Sequence, residues 1–191
     1  IGKGSFAEVF LLKSKKANQY YAGKFLLDSI SENSREFRNI SREINIVSKI
    51  NHPSIIKFIG ICINRTESVA NAVIITEYLS NSSLDTVIDL SMKGLAPDQY
   101  DDTQKLILLY GIASGMAFLH SKDILHRDLK PANILLDSYL HPKICDFGLS
   151  KVENSSDKST VNFKGTVIYA SPEIIQKCLY TKKGDVYAFS I

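Results

Sequence analysis

The stretch that most constrains this chain is His126-Arg127-Asp128-Leu129-Lys130-Pro131-Ala132-Asn133. It sets a carboxylate, an ammonium and an amide within eight residues, beside a proline that bars a helix. Asp128 is suited to accept a proton from an attacking alcohol, Lys130 to neutralise a transferring phosphoryl group, and Asn133 to lend an oxygen to a divalent cation. Thirteen residues after Asn133 (146 − 133) comes Asp146-Phe147-Gly148. Asp146 is the second candidate metal ligand, because Mg²⁺ takes hard oxygen donors.

Together the two segments resemble the catalytic loop and the Asp-Phe-Gly motif of the eukaryotic protein kinases. The resemblance implies an α+β, bilobal fold: a small β-rich lobe with one helix over residues 1–78, and a mainly helical lobe over 79–191. It implies ATP and Mg²⁺ as cofactors and protein substrates. Lys130-Pro131 looks like the serine/threonine form, since tyrosine kinases typically place alanine or arginine at the position of Lys130. Asp146-Phe147-Gly148-Leu149-Ser150 and Phe58-Ile59-Gly60 look closest to the tyrosine-kinase-like branch. Tyrosine or dual specificity remains an alternative, as does a pseudokinase scaffold. No catalytic position is lost; only Ala7 and Gly23 depart from the family pattern.

Composition narrows the setting. With 191 residues, 45% apolar and 23% charged, the chain can bury a core as one large domain or two small lobes. A net charge of +3 is too small to argue for nucleic acid or a membrane surface as partner, and Lys15-Lys16 and Lys182-Lys183 read as solvated surface. Cys62, Cys145 and Cys178 are far apart and show no metal-ligand spacing, which suits a reducing, cytoplasmic compartment. No charged-then-apolar leader opens the chain. The apolar stretch Leu106 to Leu119 is interrupted by Gly111, Ser114 and Gly115 and is too short to span a bilayer.

Along the chain, Ile1-Gly2-Lys3-Gly4-Ser5-Phe6-Ala7-Glu8-Val9 reads as strand, turn, strand, with glycines that let backbone amides approach a phosphate. A dinucleotide-binding turn would need a helix next, and none follows. The strand candidate Gln19 to Leu27 holds one lysine, Lys24, inside an apolar run; alone, it reads equally as an edge residue reaching water. The resemblance makes it the phosphate-holding lysine, with Gly23 where a branched residue is usual. Residues 33–50 read as a helix: Asn33 and Glu36 form a capping-box pattern, and Phe37, Ile40, Ile44 and Val47 recur at helical spacing. Glu43 lies beside that stripe, and the resemblance pairs it with Lys24. His52 reads as a helix-end or packing residue.

Ile55 to Ile63 and Ala72 to Tyr78 read as strands, followed by a hinge at Glu77-Tyr78-Leu79-Ser80. Helices are expected over Ser83–Ser91 and Asp102–His120, the second burying Leu106, Leu109, Ile112, Ala113 and Met116; His120 is given a packing role. Ile134–Leu136 and Pro142–Cys145 read as short strands. The resemblance implies nucleotide contacts from Ile1, Gly2, Gly4, Val9, Ala22, Lys24, Thr76, Glu77, Leu79 and Leu135, with Thr76 as a small gatekeeper. The polar stretch after Gly148 resembles an activation segment, closed by Ser171-Pro172-Glu173, in which a phosphate placed on Ser159 or Thr160 by an upstream kinase would bind Arg127. Gly184 to Ile191 resembles the start of the family's helix F. The expectation is therefore a fragment of marginal stability, because Glu173 would lack its arginine at a cost on the order of 3–5 kcal/mol.

Overall fold

The computed structural model describes residues 2, 3, 7–26, 41, 43–65, 70–152, 163 and 165–191. Ile1, Gly4, Ser159 and Thr160 lie outside them, as do Asn33, Glu36, Phe37 and Ile40 of the expected helix. The chain divides into two units, Ile1–Asn51 with Ile56–Leu79, and His52–Ile55 with Ser80–Ile191.

The first unit is built on an antiparallel sheet of five strands: β1 (Gly2–Lys3), β2 (Ala7–Lys13), β3 (Tyr20–Leu26), β4 (Phe58–Arg65) and β5 (Ala70–Glu77), in the order β1-β2-β3-β5-β4. Its register decides which side chains share a face. Val9 is opposite Lys24, Leu11 opposite Ala22, Ala22 opposite Thr76, and Lys24 opposite Ile74. Because directly opposite residues and every second residue lie on one side of a sheet, Val9, Ala22, Lys24 and Thr76 line one face. Residues 43–47 are helical, with Ile46 and Val47 buried. Strands β4 and β5 reach further than expected, to Arg65 and from Ala70.

The expected strand start at Ile55 is a correction. Strand β4 begins only at Phe58, while Ile55 belongs to the second unit, where it bridges Ile144 and Ser54 O accepts the Ile144 N–H at 2.8 Å. His52 packs there too: its ring stacks on Phe118 at 5.1 Å, and its Nδ1 accepts the Ser54 N–H at 3.1 Å.

The second unit contains α1 (Leu84–Met92), α2 (Asp102–Ser121), β6 (Ile124–Leu125), β7 (Ile134–Leu136), β8 (Pro142–Ile144), β9 (Lys151–Val152), α3 (Pro172–Lys177) and α4 (Lys182–Ser190). Asp101 caps α2 by accepting the Gln104 N–H at 2.7 Å. Lys105, one turn on, holds the Asp102 carboxyl below its usual range through a hydrogen bond and its charge. β7 pairs with β8, and β6 with β9, so each of the two sequence motifs lies between short strands.

The buried face of α2 differs from the expected stripe. Leu108, Ile112, Gly115, Met116 and Leu119 face inward, whereas Leu106, Leu109 and Ala113 are exposed. Apolar side chains run all round the helix from Leu106 to Tyr110, so periodicity alone does not select a face. Close approach selects it: a Cβ built on Gly111 would lie 2.5 Å from Pro142 Cγ, and one on Gly115 would lie 2.7 Å from Ile144 Cδ1. The glycines that interrupt the apolar run are where β8 packs against the helix.

This packing makes Gly111→Ala a test. Alanine favours a helix by about 1 kcal/mol over glycine, but overpacking against a rigid proline ring costs roughly 1–3 kcal/mol. A lower unfolding temperature is expected in thermal denaturation; a higher one would contradict the close approach.

Candidate active site

In the first unit, the strand lysine and the helix glutamate meet. Lys24 Nζ donates to Glu43 Oε1 at 3.0 Å and Oε2 at 3.2 Å. Glu43 is only 8% exposed, so the ammonium compensates a carboxylate largely withdrawn from water. The other predicted nucleotide contacts of this unit, Val9, Ala22, Thr76, Glu77 and Leu79, are half-buried. Thr76 Oγ1 donates to the Glu77 carbonyl at 3.3 Å, and the Glu77 side chain accepts the Lys57 N–H at 2.8 Å.

In the second unit, the central loop leaves β6 at His126 and ends in a single 3₁₀ turn, Pro131–Asn133. The proline opens that turn instead of barring it, since its fixed φ suits a first helical position and no N–H is needed there. Asp128 lies amid donors. Lys130 Nζ is 2.9 Å from Asp128 Oδ2, Asn133 Nδ2 donates to the same oxygen at 3.0 Å and to the Asp128 carbonyl at 2.7 Å, and Thr166 Oγ1 donates to Oδ1 at 2.9 Å. Thr166 in turn accepts from Lys130 Nζ at 2.8 Å. One hydroxyl therefore joins the loop to the segment that begins at Gly165. Gly165 has φ +116°, and a Cβ there would lie 2.9 Å from the Arg127 carbonyl oxygen, so a side chain is excluded both by conformation and by space.

Asn133 and Asp146 are held as neighbours through the backbone. The Cys145 N–H donates to the Asn133 carbonyl at 2.9 Å, next to the β7–β8 ladder, and Asp146 follows with φ +62°. With both bonds of the Asn133 amide nitrogen directed to Asp128, its Oδ1 takes no hydrogen bond among the described residues. That leaves a hard oxygen donor, of the kind Mg²⁺ accepts, on a residue whose carbonyl is bonded to the N–H of the residue before Asp146. Leu135, between buried Ile134 and Leu136, is half-buried.

The loop's own shape rests on groups that sequence reasoning passed over. Asp185, 5% exposed in the first turn of α4, accepts the His126 N–H on Oδ2 at 2.9 Å and the Arg127 N–H on Oδ1 at 2.9 Å. His120, read from the sequence as packing, reaches the same Oδ2 through Nε2 at 2.9 Å. His126 is fully buried: its Nε2–H donates to the Cys145 carbonyl at 3.0 Å, its Nδ1 accepts the Asp128 N–H at 3.4 Å, and its ring meets Phe147 edge-on at 5.3 Å. Ser150 Oγ donates to the His126 carbonyl at 3.1 Å. Thus one imidazole ties the two motifs together. The aspartate beginning the last helix was visible in the sequence, but nothing nearby in sequence marks it as an anchor.

Removing that anchor has a defined consequence. Asp185→Ala would leave two buried backbone N–H groups without an acceptor, at about 1–3 kcal/mol each. Thermal denaturation should show a loss of several degrees, and Asp185→Asn, which keeps one acceptor oxygen, should recover part of it. An unchanged unfolding temperature in Asp185→Ala would contradict the anchoring.

Comparison with known proteins agrees with this geometry. The family model described as the protein kinase domain matches residues 1–191. A G-type lectin S-receptor-like serine/threonine-protein kinase of Arabidopsis thaliana is 34% identical over 196 residues, covering 100% of this chain and 23% of the relative. Cysteine-rich receptor-like protein kinase 10 of Oryza sativa subsp. japonica is 32% identical over 197 residues, covering 100% of this chain and 29% of its own length. The chain thus spans roughly a quarter of the curated relatives it matches. With the family model matching end to end, the chain belongs to the protein kinase domain family.

Proposed function

We propose that the protein containing this chain transfers the γ-phosphoryl group of ATP to serine or threonine hydroxyls of protein substrates. The observation that carries this reading is the Asp128 carboxylate held among the Thr166 hydroxyl, the Lys130 ammonium and the Asn133 amide. Asp128 accepts the proton of the substrate hydroxyl as its oxygen bonds to the γ-phosphorus; the bond from phosphorus to the β–γ bridging oxygen breaks, and ADP leaves with that electron pair. Lys130, already paired with Asp128, faces the charge that gathers on the phosphoryl oxygens. Lys24, oriented by Glu43, holds the nucleotide's phosphates. Asn133 Oδ1 and the Asp146 carboxylate would hold Mg²⁺, which when bound neutralises phosphate charge.

Serine/threonine specificity is supported by Lys130-Pro131 and by the similarity to a receptor-like serine/threonine-protein kinase. Arg127 is read as the receiver of a phosphate placed on Ser159 or Thr160 by an upstream kinase, which makes the domain part of a signalling chain. A cytoplasmic setting fits three cysteines that form no disulfide. No helix among the described residues is long and apolar enough to cross a membrane.

The test is phosphate transfer from ATP and Mg²⁺ to a generic protein substrate by the full-length protein. Asp128→Asn should lower transfer by roughly 10²–10⁴-fold with ATP affinity nearly intact, and Lys24→Met should also impair it. Phosphoserine or phosphothreonine is the expected product. Phosphotyrosine would overturn the specificity, and wild-type turnover in Asp128→Asn would overturn the mechanism.

A further inference from the structure

Arg127 is held in an unfavourable conformation. Its φ is +68°, in the left-handed region that a residue with a side chain rarely adopts. Such a conformation persists only where several contacts fix it together. Two act on the backbone: Asp185 Oδ1 takes the N–H, and Gly165 lies so near the carbonyl that a Cβ built there would be 2.9 Å from its oxygen. A third acts on the side chain, where the guanidinium carbon lies 4.5 Å from the centroid of the Tyr180 ring. Arg127 is only 8% exposed, so this cation–π contact operates largely out of water, where it is strongest.

Both contacts come from one short stretch. Tyr180 precedes Thr181, the residue capping α4, and Asp185 lies in the first turn of that helix. The carboxylate grips the backbone of Arg127 and the ring grips its side chain. Asp128 is the next residue, so any rotation about the Arg127 backbone swings the Asp128 carboxylate away from Thr166 and Lys130.

We infer that Tyr180 is a positioning residue for phosphoryl transfer, acting through Arg127 to fix the direction of Asp128. The inference rests on the reading of Asp128 as the proton acceptor. A contact with the face of a ring uses none of the guanidinium's in-plane N–H donors on an oxygen acceptor. Tyr180 therefore sets where Arg127 lies without competing for whatever oxygens those donors meet.

The experiment is steady-state phosphate transfer by the full-length protein carrying Tyr180→Phe, Tyr180→Leu, Arg127→Gln, or the last two combined, at a temperature where each is folded. Tyr180→Phe should stay within about twofold of wild type, because the ring is kept. Tyr180→Leu should lower kcat on the order of tenfold while KM for ATP stays within about twofold. In the Arg127→Gln background, Tyr180→Leu should cause no further loss. A wild-type kcat in Tyr180→Leu, or an equal loss with and without Arg127, would overturn the inference. If Tyr180→Leu unfolds below the assay temperature, Tyr180→Met takes its place under the same two outcomes. Asp128→Asn separates the failures: activity in that variant defeats the reading of Asp128, whereas its inactivity beside a normal Tyr180→Leu defeats only the role of Tyr180.

Discussion

A single buried carboxylate, Asp185, accepts the backbone N–H groups of His126 and Arg127 and the ring nitrogen of His120. Three donors satisfy a charge that would otherwise be costly to bury, and in return the charge fixes a loop with no regular structure of its own. With the His126 N–H held, the imidazole is placed against Cys145 and Phe147, and Ser150 closes on the His126 carbonyl. The Asp128 loop and the Asp146 segment thereby become one piece. Without the anchor, Arg127 would have little reason to stay at a positive φ, and Asp128 would lose its direction.

Charge is handled differently in the two units. In the first, the Lys24 ammonium lies 3.0 Å from Glu43 Oε1 and compensates the burial of that carboxylate. In the second, Asp128 shares its oxygens among an ammonium, an amide and a hydroxyl. Such an arrangement keeps the carboxylate in one orientation, as the role proposed for it beside an attacking hydroxyl requires.

Much of the fold was legible because local signals agreed with the final structure. The helix expected over Asp102–His120 is observed over Asp102–Ser121, and the strand around Lys24 runs Tyr20–Leu26. The approach of Glu43 to Lys24 was available only through resemblance, since a charged residue beside an apolar stripe is ordinarily a solvated margin. What sequence could not show depends on distant partners. Thr166 meets Asp128 across 38 positions and Asp185 meets His126 across 59, and neither pair leaves a periodic trace. The face of α2 was misjudged for a related reason, because glycines that look like interruptions define a contact only once β8 lies over them. The segment His52–Ile55 behaves likewise, joining the second unit through Ile144.

The most direct measurement of this account is amide hydrogen exchange at His126 and Arg127 in the folded protein. Both amides lie in a loop, yet each donates to a buried carboxylate. Both should exchange as slowly as amides of the core helix α2, opening only with large-scale unfolding. Exchange at the rate of an exposed loop would contradict it, since the carboxylate of Asp185 would then not be holding the loop that carries Asp128.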